Sequence, residues 1–102
     1  MPTIEQLQSL LATDPHDSFL LYGLAMELAR QNRLPESLDT FSKLREAHPT
    51  YIPAWFMGAR TLEQAGETEA AKALYQEGIA LANRTGDTHA ASEMSAALAM
   101  LE

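Results

Sequence analysis

The chain is 102 residues long, carries 7 Lys and Arg against 14 Asp and Glu for a formal net charge of −7, and contains no cysteine. The length sets a single domain, residues 1–102, as the expectation, and the missing cysteine removes disulfide frameworks, thiol nucleophiles and cysteine-ligated metal sites. The negative charge disfavours nucleic acid and anionic membranes as partners, and a hydrophobic share of 46% excludes disorder.

The residues Met1-Pro2-Thr3-Ile4-Glu5-Gln6 carry no positive charge and precede no apolar run, so no signal peptide is expected. No stretch approaches the length of a transmembrane helix, and the expected setting is cytoplasmic. The chain has no valine and no sustained apolar–polar alternation, so strands are not expected. Ala, Leu, Glu, Gln and Met dominate, all good helix formers.

The first helix is expected from Thr3 to Thr13, with Thr3 and Gln6 as a capping box. Ile4, Leu7, Leu10 and Leu11 form its apolar stripe, and Asp14-Pro15 ends it. A second helix spans Ser18 to Gln31, closed by Asn32, which tolerates the left-handed conformation. Pro35 suits the first turn of a third helix, which His48-Pro49 stops after Ala47. A fourth spans Ile52 to Ala65 and ends at Gly66. The fifth spans Thr68 to Ala82, with Glu67 and Glu69 at its positive end. Asn83-Arg84-Thr85-Gly86 breaks the chain, and Asp87 or Thr88 caps a sixth helix that runs to Leu101. Connections this short make neighbouring helices antiparallel.

The turns recur at about half of a 34-residue period, and the length is three such periods. Thirty-four residues carry Leu21 to Trp55, Ala25 to Ala59, Leu28 to Leu62, Asn32 to Gly66 and Phe41 to Tyr75. The same step leads from Leu7 to Phe41, from Leu10 to Leu44 and from Pro15 to Pro49. Large meets large, small meets small, and turn meets turn.

With these residues the sequence resembles the tetratricopeptide repeat (TPR) family. Ser18–Tyr51 offers Leu21, Leu24, Ala25, Leu28, Ser37, Phe41, Leu44 and Pro49 for the family's pattern. Ile52–Thr85 offers Trp55, Gly58, Ala59, Leu62, Ala71, Tyr75, Gly78 and Asn83. A half-repeat, 3–15, precedes these, and a capping helix, 87–102, follows once two residues are inserted near Gly86. Met94, Ser95 and Leu98 then match Gly58, Ala59 and Leu62. Three positions depart from the pattern: Gly58 stands where a leucine is expected, Leu44 is larger than usual, and Asn83 replaces the closing proline. Gly58 offers room for a methionine such as Met26 or Met94. The resemblance implies an all-α fold, a right-handed superhelical stack of antiparallel helical hairpins (an α-solenoid) of about six helices.

No constellation for catalysis is visible. His16, His48 and His89 sit at turns without metal-ligand spacing and are expected in solvent. The five glycines are dispersed, so no phosphate loop forms. The seven basic residues are scattered, which disfavours nucleic-acid binding. No enzyme activity, metal or cofactor is expected.

The resemblance implies a concave groove lined by the first helix of each hairpin. Helical spacing, offset from the core stripe, then gives Phe19, Tyr22, Met26, Ala29 and Arg30, and one period later Pro53, Phe56, Arg60, Glu63 and Gln64. Aromatics, Met and Arg are enriched at interfaces. Phe19, Tyr22, Met26, Arg30, Phe56, Arg60 and Gln64 are therefore the expected partner-binding residues, with the arginines meeting acidic groups. Tyr22 and Met26 occupy places where some family members clamp a terminal carboxylate, so that ligand is not expected. The function implied is a non-enzymatic adaptor or assembly factor binding a peptide or helix of a partner. The alternative is a self-associating structural protein, a homodimer formed through its terminal helices, of which the last is rich in alanine.

Overall fold

A computed structural model describes residues 2–102. Among the described residues there are six α-helices and no strand: α1 (Ile4–Thr13), α2 (Ser18–Arg30), α3 (Leu34–Ala47), α4 (Pro53–Gln64), α5 (Thr68–Thr85) and α6 (Thr88–Ala99). They fall into two compact units, one ending at Pro49 and one spanning Thr50–Glu102. In the first, α2 packs against both α1 and α3; in the second, α5 packs against both α4 and α6.

Side-chain caps define the starts of α1, α2 and α6. The Thr3 amide donates to Gln6 Oε1 at 2.8 Å and the Gln6 amide to Thr3 Oγ1 at 3.1 Å, the reciprocal box expected at α1. Asp17 caps α2 by accepting from the Leu20 amide at 2.9 Å, and Asp87 caps α6 by accepting from the Ala90 amide at 3.0 Å.

The first helix of each hairpin ends on a left-handed residue, Asn32 (φ 61°) and Gly66 (φ 80°). The amides of Asn32 and Arg33 donate to the carbonyls of Ala29 and Leu28 at 3.0 and 2.8 Å. Gly66 and Glu67 donate to Glu63 and Leu62 at 3.0 and 2.9 Å. These paired bonds satisfy carbonyls that the helix end would otherwise orphan.

Two boundaries differ from expectation by more than one residue. The fifth helix does not stop at Ala82 but continues to Thr85 and closes at Gly86 (φ 82°). The proline that stops α3 has its counterpart at Asn83, which has a donor to give and no ring to clash, so the helix runs on. The sixth helix ends at Ala99, two residues short of Leu101. There the backbone tightens into a turn, with Leu101 donating to Leu98 at 3.0 Å.

The first unit buries Ile4, Leu7, Leu24 and Leu28 together, with Leu11 and Leu20 packed on them. Ser37, fully buried on α3, donates to the Ala25 carbonyl of α2 at 2.7 Å. The second unit buries Ala59, Leu74, Tyr75, Ala82, Ala90, Ala91 and Met94, flanked by Trp55, Ala97, Leu98 and Leu101. Gly78 is the close approach in this core: a Cβ there would lie 2.6 Å from Met94 Sδ and 3.0 Å from Trp55 Cβ. Met94 therefore rests against Gly78.

Two glycines inside helices are expected to respond oppositely to alanine. At Gly23 the new Cβ would meet Leu7 Cδ2 at 3.5 Å, an ordinary contact, so Gly23→Ala gains helix propensity and stabilises by up to about 1 kcal/mol. Gly78→Ala gains the same propensity but overpacks a filled core, for a net loss of about 1 kcal/mol. Urea unfolding midpoints of the two variants against the parent chain check this, and a stabilised Gly78→Ala would refute the tight contact.

Candidate partner-binding faces

On α2, Phe19, Tyr22, Met26 and Arg30 follow one another at three or four residues and share a face. Phe19 is 79% exposed. Tyr22 is half-buried and meets Phe41 of α3 edge-on, with ring centroids 6.4 Å apart and planes at 72°. Arg30 is not held out for a partner's carboxylate. It forks onto Glu27, Nε to Oε2 at 3.0 Å and Nη2 to Oε1, while Gln31 Nε2 donates to Oε1 at 3.0 Å. Those bonds, with the guanidinium bond first, hold the Glu27 carboxyl at about 2, below its ordinary 4.5. The same bond raises Arg30 above its ordinary value. Glu27 is buried and Arg30 is 65% exposed, so α2 presents a neutralised ion pair.

On α4, Phe56, Arg60 and Gln64 share the corresponding face, one turn apart. Phe56 is half-buried and meets Tyr75 of α5 edge-on, centroids 6.2 Å apart and planes at 70°. Tyr75 is fully buried and its hydroxyl donates to Glu63 Oε2. Burial first, then the bond to Glu63 and its charge, push the Tyr75 phenol well above its ordinary range, while the Arg60 charge opposes them. Arg60 and Gln64 are exposed. Among the described residues Arg60 makes no ion pair with a carboxylate.

The two aromatic pairs are one period apart, with the hydroxyl exchanged between helices. In the first unit it sits on the first helix, at Tyr22; in the second it sits on the second helix, at Tyr75, and is spent on Glu63. Of the expected binding aromatics, Tyr22 and Phe56 are thus fixed from behind by their own hairpins, while Phe19 stands exposed.

The histidines divide. His16 and His89 are exposed, whereas His48 is half-buried and its Nε2 meets the carbonyl of His16. His89 begins a turn of α6 and lies 3.1 Å from Glu93 Oε1. Among the described residues no group of three or more His, Asp or Glu is placed to hold a metal ion, and no helix is long and apolar enough to cross a membrane.

No family model matches the chain. It is 25% identical over 99 residues to a TPR repeat-containing protein of Pseudomonas aeruginosa, covering 97% of this chain and 94% of that one. The structure of a tetratricopeptide repeat domain protein from Salinibacter ruber superposes with a TM-score of 0.80 at 28% identity, covering 86% of this chain and 89% of that one. The crystal structure of PcrH in complex with the chaperone-binding region of PopD superposes with a TM-score of 0.87 at 19% identity, over 96% of this chain and 74% of that one, a likeness of fold alone. The chain has a TPR-like fold.

The helical-face argument missed Glu27 and, though it placed Glu63 on the α4 face, missed the bond of Glu63 to Tyr75. The first had a signal: it stands three residues before Arg30, within ion-pair reach on a helix. Glu63 meets Tyr75 twelve residues away across the hairpin, and no local spacing marks that contact.

Glu27 gives the TPR-like protein a defined acid sensitivity. Its carboxyl is depressed in the folded state, so its contribution is complete above the unfolded value of 4.5 and is lost as pH falls toward about 2. In urea titrations from pH 6 to pH 2.5, Glu27→Gln is expected to flatten the fall in midpoint over that window, and an unchanged slope would dissociate Glu27 from it.

Proposed function

We propose that this TPR-like protein is a non-enzymatic cytoplasmic adaptor or assembly factor that holds a peptide or helix of a partner protein against the exposed faces of α2 and α4. The observation that carries the reading is the repeated aromatic. Tyr22 and Phe56 each turn one edge into a hairpin and are braced there by Phe41 and Tyr75. An aromatic held in one orientation loses little freedom on binding, which favours recognition. PcrH, which has the same fold, is seen with the chaperone-binding region of PopD. That likeness of fold supports the reading.

The faces suit different chemistry. Around Phe19, Tyr22 and Met26 the α2 face takes apolar side chains. Arg30 enters as half of a pair with Glu27, so the cation offered to a partner's carboxylate is Arg60, with Gln64 one turn on. Self-association through the terminal helices is a second reading. It is favoured by Leu10 on α1 and Met100 just after α6, large apolar side chains that are 51% and 85% exposed.

Met26→Glu combined with Arg60→Glu reverses the character of both faces and leaves the braced aromatics in place. The tagged double variant is expected to lose the proteins that the parent chain captures from its native host, quantified by mass spectrometry, with an unchanged helical circular dichroism spectrum. Retention of the same set would overturn the assignment of these faces.

A further inference from the structure

α2 and α4 each carry one acid and one base, three residues apart, and treat them differently. Glu27 and Arg30 are the charged residues of α2, and Arg60 and Glu63 are those of α4. Three residues is ion-pair reach on a helix. Glu27 and Arg30 use it and close on each other. Order along the chain is no obstacle. Arg33 precedes Glu36 as Arg60 precedes Glu63, and its guanidinium forks onto both carboxylate oxygens at 2.9 and 2.6 Å. Lys43 and Lys72 likewise hold carboxylates four and three residues away. Arg60 and Glu63 do not pair: among the described residues no ion bridge joins them.

The competitor is the Tyr75 hydroxyl. Tyr75 is fully buried on α5 and donates to Glu63 Oε2 across the hairpin. A phenol hydroxyl shut away from water must find an acceptor inside the protein, and a carboxylate is the strongest that a side chain offers. An exposed arginine is already solvated and gains little by taking a carboxylate in place of water. The buried bond therefore wins. Glu63 is held half-buried against α5, and Arg60 stands exposed. The first hairpin lacks this competitor. One period before Tyr75 is Phe41, also fully buried but without a hydroxyl, and one period before Glu63 is Ala29.

We propose that Tyr75 is a positioning residue that sets the charge preference of the α4 face: by holding Glu63 inward, it keeps Arg60 open to a carboxylate of the partner. The proposal rests on the reading of α4 as a binding face and names what that face selects, a partner helix with an acidic side chain one turn from an apolar one. Phe56 and Arg60 are four residues apart, about 6 Å along α4. Two side chains four apart on a partner helix have the same spacing, so one can meet the Phe56 ring while the other meets the guanidinium. Without the hydroxyl, Glu63 is released to Arg60 as Glu36 is to Arg33, and α4 presents a neutralised pair, as α2 does.

Tyr75→Phe removes the hydroxyl alone, and Phe41 shows that a phenyl ring fits this place; thermal melts confirm that the variant is folded. Phenylglyoxal, a dicarbonyl that modifies unpaired guanidinium groups faster than paired ones, reads the state of Arg60 with no partner present. Peptide mapping by mass spectrometry separates Arg60 from Arg30, which is paired, and from Arg84, which is in no ion pair among the described residues. All three are exposed, so a difference in rate reports pairing, not access. In the parent chain Arg60 is expected to react several-fold faster than Arg30, near the rate of Arg84. In Tyr75→Phe it is expected to slow toward Arg30, and in Tyr75→Phe/Glu63→Gln to recover. An Arg60 rate that Tyr75→Phe leaves unchanged would overturn the proposal, as would a slowing that Glu63→Gln does not reverse. Capture of proteins from the native host separates this from the reading beneath it. Tyr75→Phe is expected to lose the same proteins as Arg60→Gln, and added Glu63→Gln to restore them to Tyr75→Phe. Proteins lost by Arg60→Gln but kept by Tyr75→Phe would overturn the role of the hydroxyl. An Arg60→Gln variant that loses none would overturn α4 as a binding face, whatever the reagent shows of Glu63.

Discussion

Each unit depends on the turn that closes its first hairpin helix. A helix ends cleanly where one residue takes the left-handed conformation and its own amide and the next fold back onto the last carbonyls. At Asn32 and Gly66 this happens with nearly the same bonds, 3.0 and 2.8 Å in one and 3.0 and 2.9 Å in the other. The second helix therefore leaves each turn with the same phase. That phase brings the residue ten before the turn against the residue nine after it: Tyr22 against Phe41, and Phe56 against Tyr75. Asparagine reaches the conformation because its short polar side chain tolerates it, and glycine because it has no Cβ. A β-branched residue at either place would move the second helix and, with it, the support of the exposed aromatic.

Within that frame the packing is set by pairs of volumes, not by the identity of one residue. The first hairpin places Leu21 and Leu44 where the second places Trp55 and Gly78. Leu44 departs from a small-residue pattern, yet it is fully buried, because Leu21 is smaller than Trp55. Gly78 accepts both Trp55 and Met94, and methionine is the side chain best able to fill what remains. The same reasoning explains Ser37 and Ala71. Both are small and fully buried, and the serine hydroxyl fits only because the Ala25 carbonyl receives its proton.

Much of this was legible in the sequence because it is periodic. Asn32 with Gly66 and the buried Phe41 and Tyr75 follow from matching one window to another, and Thr3 with Gln6 from a local capping pattern. The illegible parts are those in which a residue's behaviour depends on a partner outside its own stripe. Arg30 reads as a free cation on one face until Glu27, on the neighbouring stripe, is seen to take it. His48 reads as a turn residue until the carbonyl of His16, thirty-two residues away, is found at its ring. The end of α5 was misread for a related reason. Asn83-Arg84-Thr85-Gly86 reads as a break, but Asn83 lacks the proline ring that would stop the helix, which runs on to Gly86.

The charge distribution sharpens what the proposed binding faces would distinguish. A net charge of −7 favours no ligand class by itself, because most cations are already paired with near neighbours in sequence: Arg30 with Glu27, Arg33 with Glu36, Lys43 with Asp39, Lys72 with Glu69. Exposed pairs of this kind contribute little to stability, but they remove cations from the pool open to a partner. Arg60 differs because the nearest acid on its face, Glu63, is committed to the Tyr75 hydroxyl. Exchange of a single hydroxyl between Tyr22 and Tyr75 thus does more than conserve packing. It draws a carboxylate inward on α4 and leaves a cation outward, whereas on α2 the carboxylate of Glu27 and the cation of Arg30 cancel. An apolar side chain loses nothing on the first face, and a carboxylate gains a partner on the second.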